Sequence, residues 1–96
     1  MNRVEYHPEA LEDARDARRW YAERSAAVAE RFEAELRRAL DFAALMPEAG
    51  SPGAAGTRKL RLHGFPHSLI YRVAPSLVLV LAIAHERREP GYWRKR

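Results

Sequence analysis

The sequence predicts an α+β domain with the element order β-α-α-β-β-β, a helical hairpin packed on a small antiparallel sheet. Three observations point there. A short alternating stretch at the start runs into two segments whose apolar residues recur at the helical period. A Pro/Gly-rich stretch, Met46–Gly56, then interrupts the chain as a loop. Two alternating segments and one continuous apolar run follow it, all of strand length.

Arg3–His7 alternates Val4 and Tyr6 with Arg3 and Glu5, the pattern of a half-buried strand. Pro8 suits the first position of a helix, where its missing N–H costs nothing. Glu9, Glu12 and Asp13 crowd the opening turns, at the positive end of the helix dipole. Ala10, Ala14, Ala17 and Tyr21 form a stripe of mostly small residues flanked by Leu11 and Trp20, and this helix should end near Glu23–Arg24. Ser25 can cap a second helix. In it Val28, Phe32, Leu36, Ala39, Leu40 and Ala43 recur at the helical period, with Glu33→Arg37 as an i,i+4 pair on the other face. Pro47 stops it, and the two stripes suit a tight hairpin.

In the last third, Arg58–Leu62 turns Leu60 and Leu62 inward and Lys59 and Arg61 outward. His63–Pro66 is a turn. His67–Val73 places Leu69, Tyr71 and Val73 on one face and Ile70 and Arg72 on the other. Ala74-Pro75-Ser76 leads into Leu77–Ala84, a Leu/Val/Ile run that suits a central strand covered on both sides.

Ninety-six residues bound the chain to one domain, 1–96, with a modest core. With 47% hydrophobic and 31% charged residues, the composition is globular. The absence of cysteine excludes a disulfide framework and any Cys-based metal site, and suits a reducing cytoplasm. The N-terminus lacks the apolar stretch of a secretory signal. The longest apolar run, Leu77–Ala84, is far short of the roughly 20 residues a membrane helix needs. A soluble cytoplasmic protein with no membrane partner is expected. Residues 1–57 carry 8 Lys/Arg against 11 Asp/Glu, whereas residues 58–96 carry 9 against 2. That split gives either a basic face for a polyanion or an acidic protein, or a solvated basic tail.

Chemistry concentrates in the C-terminal segment His85–Arg96. Its arginines Arg87, Arg88, Arg94 and Arg96 can fork onto phosphates or carboxylates, and Tyr92 and Trp93 can stack on bases or fill a protein pocket. The competing reading folds Tyr92 and Trp93 back onto the sheet as a lid. His85 can shuttle protons near neutral pH or be structural. Lys59, Arg61 and Arg72 form a cationic patch if strand register puts them on one face. His63 and His67 flank a turn with no carboxylate nearby in sequence. No nucleotide-binding Gly loop, nucleophile elbow or HExxH is present, so no cofactor and no metal is assigned.

Three stretches together resemble the ParE branch of the RelE/ParE toxin superfamily, also called plasmid-stabilisation proteins. They are Val4–Ala10 leading into Asp13; Arg58-Lys59-Leu60 continuing through Gly64–Val73; and Ala82–His85 with Arg87–Pro90 and Tyr92-Trp93. The resemblance implies the toxin component of a type II toxin–antitoxin system. It also implies a cognate ParD-like antitoxin, ribbon-helix-helix in its DNA-binding part, that neutralises the toxin in a hetero-oligomer. ParE-like members poison DNA gyrase and arrest growth; RelE-like members cleave messenger RNA on the ribosome. The Arg-Arg-Glu-Pro-x-Tyr-Trp ending resembles ParE, so the resemblance implies a gyrase poison rather than a catalyst. Target-binding residues are then Arg61, Arg72, Arg87, Arg88, Tyr92, Trp93, Arg94 and Arg96. The alternative, an mRNA endoribonuclease, would use Arg61, Arg72, His85 and Tyr92. A non-toxic interaction or co-repressor module is a further alternative. On the gyrase reading, deleting Tyr92–Arg96 should abolish growth arrest and leave a folded protein.

Overall fold

The computed structural model describes all residues, 1–96. In chain order it contains β1 (Arg3–Tyr6), α1 (Pro8–Ala22), α2 (Ala26–Leu45), β2 (Ser51–Pro52), β3 (Arg58–Arg61), β4 (His67–Ala74) and β5 (Leu77–His85). The predicted α+β order is present, with one addition. The Pro/Gly-rich stretch holds two short 3-10 turns and the two-residue β2, which pairs with Arg58 and Lys59.

The sheet runs β1-β5-β4-β3-β2. It is mixed: β3, β4 and β5 form the expected antiparallel meander, but β1 lies parallel to β5, with Val4 opposite Val78 and Tyr6 opposite Val80. The hairpin explains the direction. The end of α2 returns to the start of β1, where the Asn2 backbone and side-chain amides both donate to the Ala44 carbonyl at 3.0 Å. From there the chain passes through β2 to β3, which runs the same way as β1, and two further reversals bring β5 alongside it.

Local signals set the helix ends. His7 Nδ1 accepts the Glu9 N–H at 3.1 Å at the start of α1, and Ser25 Oγ accepts the Val28 N–H at 3.3 Å at the start of α2, as expected of a capping serine. One surface expectation is corrected. Glu33 takes Arg18 across the hairpin instead of Arg37 on its own helix, because the packed α1 presents Arg18 to it.

The main core lies between the hairpin and one sheet face. Phe32, Leu36, Ala39 and Ala43 meet Leu62, Leu69, Tyr71, Val78, Val80 and Ile83. Each large side chain buried there contributes roughly 1.5–3 kcal/mol. Val73 shares the face of Leu69 and Tyr71 but is half-exposed at the hairpin end. On the opposite face Trp93 covers Ile70, Leu81 and Ala82.

A β-bulge divides the two faces. Ile70 pairs with Ala82 and Tyr71 with Val80, so Leu81 is an extra residue in β5. Val78 and Val80 face the helices, Leu81 and Ala82 both join the far side, and Ile83 returns to the helix side. Every later side chain of β5 is thereby switched to the other face.

Tyr71 fastens the loop. Its hydroxyl accepts the Gly50 N–H at 3.0 Å and donates to the Pro47 carbonyl at 2.8 Å. A Cβ on Gly50 would stand 2.5 Å from that oxygen, so only glycine fits without moving the ring. Tyr71→Phe should therefore lower stability by about 1–3 kcal/mol, the cost of buried groups left without partners. Urea unfolding with an unchanged slope would measure it. No helix is long and apolar enough to cross a membrane.

Candidate functional site

The bulge determines what stands at the end of β5. His85 pairs with His67, and both rings lie on the helix side, 5.0 Å apart and edge to face. His67 packs on Phe32 and Tyr21, and its Nδ1 is buried without a hydrogen-bond partner. Burial is the main reason that its pKa falls to about 4; positive charge on His85 adds to this, while Asp13 and Glu86 oppose it. His85 is half-buried and its Nδ1 accepts the Arg87 N–H at 3.0 Å, which leaves a neutral His85 its Nε2–H.

Beside this pair, an open groove of about 490 Å³ separates α1 from the C-terminal segment, lined among others by Trp20, Tyr21, His85 and Arg88. Its acids are neutralised: Asp16 pairs with Arg19 at 3.1 Å and Asp13 with Arg96 at 2.6 Å. Arg87 and Arg88 are exposed and make no ion pair, so the rim is cationic. The Arg88 guanidinium lies over the Tyr92 ring, 3.9 Å from its centre. Burial first, then the Asp13 carboxylate, pushes the Tyr92 phenol up from its ordinary value, so the phenol acts as a donor.

The other predicted residues divide between surface and interior. Lys59, Arg61 and Arg72 do share one face, the side away from the helices, since Lys59 opposes Ile70 and Arg61 opposes Ser68. Arg61 stands 3.5 Å from Glu86, and Arg72 Nε donates to the Ala55 carbonyl at 3.1 Å. Arg94 is exposed. Trp93 is 8% exposed and belongs to the far-face cluster, and the Arg96 side chain is 10% exposed in its pair with Asp13. The fold thus uses both of these side chains internally.

Of Arg61, Arg72, His85 and Tyr92, the structure brings only His85 and Tyr92 together, in the groove beside α1. Arg61 and Arg72 project from the far face, whereas the His85 ring lies on the helix side. Along the sheet the two arginines are about four residues apart in register, roughly 13 Å. Sequence reasoning missed Asp13 as a site residue and His67 as the partner of His85. Both contacts join positions distant in sequence, so no local spacing announces them.

This fold, a two-helix hairpin on a mixed five-stranded sheet, is shared with two solved structures. The chain superimposes on a structure of the chromosomal ParDE toxin–antitoxin system from P. aeruginosa with a TM-score of 0.75 and 18% identity, covering 88% of this chain and 96% of that one. It also superimposes on the isolated E. coli RelE toxin with a TM-score of 0.66 and 20% identity, covering 99% and 95%. The chain belongs to the ParE toxin family: the model for the ParE toxin of the type II toxin–antitoxin system, parDE, matches residues 4–90. A search of curated proteins found no match.

Proposed function

We propose that the chain is a ParE-like poison of DNA gyrase, held inactive by a ParD-like antitoxin and released in the cytoplasm to arrest growth. Family membership supports the toxin role, and the ParDE pairing named for the P. aeruginosa neighbour supports the antitoxin. One observation favours gyrase over messenger RNA: the two arginines that a nuclease would draw on, Arg61 and Arg72, project from the sheet face opposite the His85 ring. Phosphoryl transfer requires such groups around one phosphate, positioned together and aimed at the developing charge. The C-terminal segment also carries exposed cations, Arg87, Arg88 and Arg94, suited to binding a large acidic surface.

The test is supercoiling by purified gyrase with increasing toxin. Lost supercoiling and accumulated cleaved DNA, both reversed by the antitoxin, are the expected result. Unchanged supercoiling, from folded protein that still arrests growth and leaves cut transcripts, would overturn the gyrase reading in favour of ribosome-dependent RNA cleavage.

A further inference from the structure

Asp13 sits in the second turn of α1 with its side chain 13% exposed, an unusual burial for a surface-helix carboxylate. It accepts the Ile83 N–H near the end of β5 at 3.2 Å. It also accepts the Tyr92 hydroxyl at 3.4 Å and the Arg96 guanidinium at 2.6 and 3.3 Å. Arg96 in turn donates to the carbonyl of the bulge residue Leu81 at 2.9 Å. One carboxylate thus grips both ends of the segment between Ile83 and Arg96. After His85 that segment contains no helix or strand.

Between the two grips stand the unpaired cations. The Arg87 N–H is held by His85, and the Arg88 guanidinium by the ring of Tyr92, whose hydroxyl Asp13 holds. We propose that Asp13 is a positioning residue: through Tyr92 and Arg96 it sets the geometry in which Arg87 and Arg88 meet the toxin's target. The inference rests on the reading that this segment contacts the target, and does not depend on which target that is.

The probe is Asp13→Asn in the full-length chain. Asparagine keeps an acceptor for the Ile83 N–H and removes the charge that holds Arg96. Hydrogen exchange of residues 86–92 and growth arrest on titrated induction are measured together, at a temperature where parent and variant are both fully folded. The expected result is faster exchange confined to 86–92 and a potency on the order of tenfold lower. Arg88→Ala should then cost clearly less in the Asp13→Asn background than in the parent, because Arg88 is already misplaced. A general loss of fold would not produce that coupling. Arg96→Lys, which keeps the charge but not the fork, should fall between parent and Asp13→Asn in both readouts. If Asp13→Asn does not fold, Arg96→Lys carries the same comparison. Unchanged exchange, full potency despite faster exchange, or strictly additive effects of Asp13→Asn and Arg88→Ala would overturn the proposal, as would a parent chain that arrests nothing. A parent that arrests growth but leaves gyrase untouched removes the gyrase reading alone.

Discussion

Removing Tyr92–Arg96 is expected to lower stability by about 3–5 kcal/mol, close to the cost of truncating a buried tryptophan. Trp93 lies over Ile70, Leu81 and Ala82, and without it the far face of β4 and β5 opens to water. Losing the ion pair adds less, because Asp13 regains water once the tail is gone. Against a total of roughly 5–15 kcal/mol, such a loss leaves a marginal protein. Growth arrest should vanish, but instability alone would explain that. The sequence-based expectation of a folded, inactive truncation is therefore revised: five residues that read as a basic tail contain a core side chain and a buried cation. A cleaner separation is Arg87→Ala with Arg94→Ala, both exposed and outside ion pairs. Those changes should leave the urea midpoint within the range of ordinary surface substitutions and still weaken target binding.

Acid should destabilise the protein well before its carboxylates titrate. The His67 pKa is about 4 when folded against an ordinary 6.5, so between these values the unfolded chain binds the proton and the folded chain does not. The contribution is complete above pH 6.5 and falls away as pH drops towards 4, by roughly 3 kcal/mol at most. Glu35 acts in a lower window. The Arg38 guanidinium, and to a lesser degree the His63 N–H, hold its carboxyl below the ordinary value against the opposing effect of burial. Its contribution is lost only as pH falls through the carboxylate range. Urea titrations at pH 7 and pH 5 thus isolate His67, and His67→Phe should flatten the difference between them. An unchanged slope in that variant would place the sensitivity elsewhere.

Much of the architecture was legible because the signals are local. Pro8, Ser25 and Pro47 mark helix boundaries, and the alternation around Leu60 and Leu69 marks strands. The parallel seating of β1 was not legible, since it follows from where α2 ends in space. The bulge left no trace either: in a run such as Leu77–Ala84, apolar on both faces, a shifted parity changes no residue class. The face of His85 was therefore undetermined by the sequence, and with it the pairing to His67. Trp93 stood open between lid and contact residue because its composition suits both, and only the patch beneath it decides. The Asp13–Arg96 pair spans 83 positions, beyond the reach of any local pattern.

The topology has a consequence for the order of synthesis. β1 is made first, yet its only strand partner is β5, and Arg3 waits for Leu77. While the chain is still emerging, the hairpin has no completed sheet on which to bury Phe32 and Leu36. The pairings that complete the sheet, β1 with β5 above all, are non-local, which slows folding. A nascent chain that stops short of β5 has neither the centre of its sheet nor the segment that follows it.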